Sequence, residues 1–245
     1  MINPRSKTLS VHRWPLMQIY ETLLARYGPQ HWWPGETPFE VMVGAVLTQN
    51  TNWSNVEKAI DEMRRAECLE PRRLLALSQA ELSAMIRPSG YFRVKERRLR
   101  SLVRWFVDCH GGSVANCSGI PTEDLREELL GIHGVGPETA DSILLYALDR
   151  PVFVVDAYTR RLLGRHGWLY GGESYEQVRA IVVSHLKPDV ALYNEFHALI
   201  VRVGKANCRP SPRCVGCVLE ACPRIEDSGR SRSPKETISW KPKTS

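Results

Sequence analysis

Three groups of residues have types and spacings suited to chemistry. The first is Gly131-Ile132-His133-Gly134-Val135-Gly136-Pro137-Glu138-Thr139, which joins two stretches of helical periodicity. Glycines at 131, 134 and 136 permit positive φ and close approach of a ligand. Pro137 suits the first turn of a helix, where its missing N–H costs nothing. The expected product is helix, tight hairpin, helix, with backbone N–H groups at a helix N-terminus able to hold a phosphate. A plain turn between two helices has the same local grammar, so the segment alone leaves both readings open.

The second group is centred on Asp156, which follows the apolar residues Val154-Val155 and starts a new helical pattern. An aspartate there caps the helix, worth about 1 kcal/mol. The same position keeps a carboxylate ionised by the helix dipole while its apolar approach partly desolvates it. Such a group could oppose positive charge on a sugar or activate a water.

The third group is Cys208, Cys214, Cys217 and Cys222, four of the seven cysteines, in one short loop without histidine. A secreted disulfide framework would spread its cysteines through a shorter chain. Zinc ribbons bring two Cys-x2-Cys knuckles together from distant segments. Four thiolates in a single loop fit a [4Fe–4S] cluster better.

The elements that must position these groups are almost all helical. Apolar residues recur at helical spacing over Leu16–Tyr27, Phe39–Leu47, Ser54–Met63, Leu74–Leu77, Glu81–Ile86, Lys95–Val107, Thr122–Leu130, Glu138–Leu148, Ala157–Gly164, Tyr175–His185 and Leu192–Val203, mostly separated by Gly, Pro or Asn. Pro151-Val-Phe-Val-Val155 is the best β-like run, but it is short and isolated and reads as a buried connector. The chain has 245 residues, of which 43% are hydrophobic and 24% charged, which excludes wholesale disorder, collagen-like repeats and a coiled-coil rod. No run is long and apolar enough to span a membrane. Met1-Ile-Asn-Pro-Arg5 leads into no apolar signal region, so a cytoplasmic chain is expected, nucleoid-associated if bacterial. A net charge of +6 points to an anionic partner. From Arg224 onward the chain turns polar and Ser/Pro/Arg-rich, six basic residues against three acidic, and reads as a flexible tail.

The hairpin, Gly134-Val-Gly-Pro-Glu-Thr-Ala140 and Val154-Val155-Asp156 together resemble the signature of the endonuclease III superfamily of helix-hairpin-helix DNA glycosylases. The resemblance runs from about residue 16 to 222 and implies two helical lobes with damaged double-stranded DNA in the cleft between them. One lobe would take residues 1–30 and 168–222 with the iron–sulfur loop, the other residues 31–167 with the hairpin, leaving 223–245 as the tail. Bifunctional members carry, two residues after the second hairpin glycine, a lysine that attacks C1′ and forms a Schiff base. Here that position is Glu138, which cannot form an imine. The resemblance therefore implies a monofunctional, monomeric base excision repair enzyme that hydrolyses the N-glycosidic bond with Asp156 and water. Trp32-Trp33-Pro34, Leu47-Thr-Gln-Asn-Thr51 with Trp53, and Arg87-Pro-Ser-Gly90 are most similar to the 3-methyladenine DNA glycosylase III branch, which excises alkylated purines. Many members carry a C-terminal cluster loop; both outer cysteine gaps here are one residue shorter than the common form.

Further roles follow from that resemblance. Trp33, Pro34 and Trp53 would form the base pocket, although core packing claims most tryptophans. Gln49 or Asn50, on a turn, would fill the hole left by the flipped base. Backbone and side chain at Gly134, Gly136 and Thr139 would hold phosphate. So would Lys95, from a helix bearing Arg93, Arg97, Arg98, Arg100 and Arg104 against Glu96, and Lys205 beside the cysteine loop with Arg209 and Arg213. Two alternatives stand beside this reading: an endonuclease III-like enzyme for oxidised or mismatched pyrimidines, and a non-catalytic DNA-binding or redox-sensing iron–sulfur protein.

Overall fold

The computed structural model describes residues 13–223. Among them the chain is helical throughout, with eleven α-helices, two short 3-10 turns and no strand. The helices are α1 (Leu16–Tyr27), α2 (Pro38–Leu47), α3 (Trp53–Arg65), α4 (Pro71–Ala76), α5 (Gln79–Met85), α6 (Phe92–His110), α7 (Thr122–Leu130), α8 (Pro137–Tyr146), α9 (Ala157–Arg165), α10 (Tyr175–Val183) and α11 (Val190–Ala206). Local side chains start many of them. Thr37 accepts the Glu40 N–H ahead of Pro38, Asn52 caps α3, and Ser78–Glu81 and Ser174–Gln177 form reciprocal capping boxes. The expected tail from Arg224 lies outside the described residues, as do the first twelve. No described helix is long and apolar enough to cross a membrane.

The apolar residues separate into two cores. One is built from α2 to α8 and runs in sequence from Phe39 to Val152. The other joins α1 to Phe153-Val154-Val155, α9, α10, α11 and the cysteine loop. The expected split at residue 167 therefore falls earlier, at about 153. The reason is that the connector after α8 and the whole inner face of α9 (Leu162, Leu163) are buried against α11 rather than against the first core. Helix α8 is shared, with Ile143 and Leu144 in the first core and Leu145 in the second. The run Val152–Val155 is buried and has no regular secondary structure, as expected of a connector, and it delivers Asp156 to the seam between the lobes.

Candidate active site

A cleft of about 660 Å³ opens at that seam. Asp156, Glu138, Trp33, Trp53, Gln49, Asn50, Thr139 and Lys205 all line it, so residues separated by up to 172 positions converge on one space.

Asp156 is the N-cap of α9 and accepts the Thr159 backbone N–H at 2.7 Å. Its side chain is 12% exposed. Burial alone would push the carboxyl up, but His197 and the Thr159 N–H outweigh it and hold the group below the usual aspartate value. The preceding Val155 N–H donates to Tyr175 Oη at 3.2 Å, fixing the backbone that presents the carboxylate.

His197 and Tyr146 belong to this site and sequence reasoning missed both. His197 Nε2 stands 3.6 Å from Asp156 Oδ2, and its Nδ1 meets Tyr146 Oη at 2.6 Å. Tyr146 closes α8 and His197 sits mid-α11. The packing of α8 and α9 on α11 joins them to Asp156.

Glu138 occupies the second position of α8 and faces the cleft. The residue is exposed overall, yet desolvation on the cleft side, followed by repulsion from Asp156, raises its carboxyl above the ordinary value against the pull of His197 and Arg160. The two carboxyls are thus driven apart, Asp156 towards ionisation and Glu138 towards holding a proton.

At the hairpin only Gly134 has a positive φ, 86°. Gly131 (φ −70°) ends α7 and Gly136 (φ −98°) caps α8, so of the three glycines that permit a positive φ only Gly134 uses it. Gln49 Nε2 donates to Gly134 O and to Thr139 Oγ1, both at 3.0 Å, and Arg98 donates to Gln49 Oε1 at 2.6 Å. The Thr139 side chain is therefore turned inward and satisfied, so its backbone N–H at the start of α8, not its hydroxyl, is what it can offer a phosphate. The structure also separates the two wedge candidates. Gln49 is half-buried and braces the hairpin, while Asn50 is exposed with a left-handed backbone (φ 54°).

Trp32, Trp33 and Trp53 pack on one another with ring centroids 5.2–5.6 Å apart, and Trp33 also meets Tyr146 at 5.4 Å. Gly44 makes this possible: a Cβ there would approach the Trp33 indole to 3.1 Å, so α2 presents bare backbone to the ring. Both Trp33 and Trp53 pack on the first core and wall the cleft. Pro34 sits in a tight turn closed by the Gly35 N–H on Trp33 O at 2.9 Å, is exposed and does not line the cleft; its assignment to the base pocket is corrected.

Lys95 requires a second correction. It is 1% exposed, and its ammonium donates to Leu47 O and Ser89 O, both at 2.7 Å, which ties off the end of α2. Desolvation, with Arg98 nearby, brings its pKa down to about 8. A lysine so enclosed reaches no phosphate; Arg93, Arg97 and Arg104 on the same helix are exposed. Lys205 is exposed at the cleft mouth, its Nζ 6.0 Å from the Trp32 ring centroid.

Cys208, Cys214 and Cys217 line a small cavity of about 20 Å³ beneath α9 and α11, and Cys222 is buried in the second core. Arg165 donates to Cys208 Sγ at 3.1 Å and to Arg209 O and Pro210 O, while Arg161 donates to Cys208 O. Among the described residues no three donors converge on a single ion. A cubane takes one thiolate per iron around a volume. Four thiols from one short loop, three of them bordering this cavity, are by their chemistry the donor set such a cluster takes.

The model of the HhH-GPD superfamily of base excision DNA repair proteins matches residues 43–188. A Methanocaldococcus jannaschii protein that bears the name DNA repair glycosylase is 44% identical over 84% of this chain and 94% of its own. Thermotoga maritima endonuclease III is 30% identical over 75% of this chain and 81% of its own. Among solved structures, the H. pylori 3-methyladenine DNA glycosylase bound to 1,N6-ethenoadenine superposes with a TM-score of 0.69 at 28% identity, over 79% of this chain and 98% of that one.

Proposed function

The chain belongs to the HhH-GPD superfamily of base excision DNA repair proteins, and from that premise we propose that it is a monofunctional DNA glycosylase releasing alkylated purines from double-stranded DNA. The observation that carries the reading is the pairing at the seam: an ionised Asp156 and, where a Schiff-base lysine would stand, Glu138. As the glycosidic bond breaks, positive charge develops on the sugar. A carboxylate fixed beforehand in a partly desolvated cleft opposes that charge without having to reorganise. Glu138 offers no amine, so water takes the sugar carbon and the strand stays intact.

The tryptophan walls support an alkylated purine as substrate. N3- or N7-alkylation makes the base cationic and weakens its bond to the sugar, so departure needs little acid assistance. A cationic ring is held well by indole faces. The double-stranded partner fits the Gly134–Gly136 hairpin and the exposed arginines of α6. The four thiols would hold a [4Fe–4S] cluster that supplies a rigid brace for the loop bearing Arg209 and Arg213.

The test is base release from a panel of duplexes carrying 3-methyladenine, hypoxanthine, thymine glycol or a mismatched thymine, run beside Asp156→Asn. The alkylated duplex should be processed best, and the variant should lose release while binding DNA as well or better. Preference for thymine glycol or mismatched thymine would overturn the purine assignment, and full turnover by the variant would reduce Asp156 to a helix cap.

A further inference from the structure

The environment of Asp156 contains one group the glycosylase reading does not use. His197 is 6% exposed, and its Nε2 has no hydrogen-bond partner although it lies 3.6 Å from Asp156 Oδ2. That distance is too long for a hydrogen bond but within close electrostatic reach. The other ring nitrogen is occupied by the Tyr146 hydroxyl at 2.6 Å. Burial, reinforced by the charges of Asp156 and Glu195, raises Tyr146 well above its ordinary value, so the phenol keeps its proton. A protonated phenol can donate to Nδ1 or accept from it, whereas an ionised carboxylate can only accept. Asp156 therefore places the imidazole proton on Nε2, and Nδ1 is then left to accept from Tyr146.

We infer that His197 is a positioning residue for Asp156: Tyr146 holds its ring at Nδ1, and its Nε2–H aims the carboxylate that faces the reacting sugar. The inference rests on the glycosylase reading. The ionisable groups around it are Asp156 from the start of α9, Glu138 and Tyr146 from α8, and Glu195 on its own helix, with Arg160 acting on Glu138 from α9. Of these, His197 is the main attraction holding Asp156 ionised. The contact is 3.6 Å long; catalytic contacts of this kind tighten in the Michaelis or transition-state complex.

Two sets of measurements test it. Nitrogen NMR on the free, histidine-labelled protein needs no substrate. The expected result is an Nε2-protonated His197 whose signal moves in Asp156→Asn. An Nδ1-protonated ring, or a signal indifferent to Asp156→Asn, overturns the inference whatever the enzyme acts on. The second set is single-turnover release across pH. His197→Leu should slow release roughly tenfold, less than the loss expected of a donor that touches the transition state itself. It should move the acid limb to higher pH, because Asp156 then loses the interaction that lowers it, and leave affinity for undamaged duplex unchanged. His197→Gln, which keeps an acceptor for Tyr146 and an N–H for Asp156, should recover part of the rate even if the leucine variant folds poorly. An unshifted acid limb in both variants overturns the inference. Absence of release from every duplex by the unsubstituted protein defeats the glycosylase reading instead, and the NMR result still stands on its own.

Discussion

Gly134 and Arg98 lie so close that a Cβ on the glycine would fall inside the arginine side chain, whose guanidinium meanwhile donates to Gln49 Oε1 at 2.6 Å. The hairpin tip, the basic helix α6 and the end of α2 are thus one unit. Gly134→Ala meets two obstacles: a left-handed φ of 86° and the Arg98 side chain. The backbone strain is about 1–2 kcal/mol. Arg98 must also move, breaking its charged hydrogen bond, so duplex affinity should fall roughly tenfold. Thermal unfolding and a DNA titration check both; unchanged affinity would mean the hairpin does not touch the duplex.

Lys95→Met should leave the salt dependence of DNA binding unaltered, since a buried ammonium releases no counterion from phosphate. It should instead remove a pH effect on stability. The folded pKa, about 8, lies below the 10.5 of the unfolded chain. Between those values the unfolded state binds more protons, so this lysine makes stability rise with pH across that window. Urea unfolding of both proteins at pH 7.5 to 10.5 (roughly the window set by those pKa values) should show the rise shrinking in the variant. An equal rise in both would place the titration elsewhere.

These two residues show what sequence reading reaches and where it stops. The hairpin and the Asp156 cap were legible because their rules act within three or four residues: a glycine before a proline at a helix start, a carboxylate after an apolar run. Lys95 was misread because six cations on one helix were taken together. Yet Lys95, Leu99, Leu102 and Phe106 follow helical spacing and are all buried, so the stripe itself held the signal. His197 likewise falls in line with Tyr193 and Ile200 on the buried face of α11. A polar residue on an apolar stripe marks a buried partner, but not which one. That Tyr146 and Asp156 flank His197 depends on how α8, α9 and α11 cross, which no local pattern encodes.

A buried arginine pairs within the hairpin and reaches across to the second lobe. Arg126 of α7 donates to Asp141 of α8 at 2.6 Å and to Glu176 of α10 at 2.6 Å, and Asp141 is fully buried. Asp141→Ala leaves Arg126 with the exposed Glu176 carboxylate alone and should cost about 1–3 kcal/mol, read as a lower urea midpoint. The double variant Arg126→Met/Asp141→Leu should recover most of it, since apolar replacement of a buried pair is often neutral. If the single and double variants were equally unstable, packing volume rather than the half-paired charge of Arg126 would be responsible.

Borohydride should trap no covalent complex between the unsubstituted protein and damaged DNA, because Glu138 cannot form an imine. Glu138→Lys places an amine in the cleft that Asp156 also lines, and should give a trapped adduct together with strand cleavage. A strong adduct with the unsubstituted protein would show that another amine serves, with Lys205 at the cleft mouth as the first to replace.

Trp33 and Trp53 meet edge-to-face, with ring planes at 90°, and wall the cleft from two directions. A cationic base resting on one of them gains about 0.5–2 kcal/mol from cation–π attraction. Stacking contributes roughly 1–3 kcal/mol more. Trp53→Ala should therefore slow release of 3-methyladenine by about tenfold or more, and Trp53→Phe by less. Trp33→Ala should do likewise but also lower stability, since Trp33 covers the bare backbone at Gly44 and packs on Tyr146. Thermal unfolding separates the two effects. For Trp53, whose indole N–H is satisfied by Glu57 at 2.7 Å on its own helix, the rate should fall while the melting temperature changes little. A rate that merely tracks stability in both variants would make the tryptophans packing alone and leave the alkylated purine without its wall.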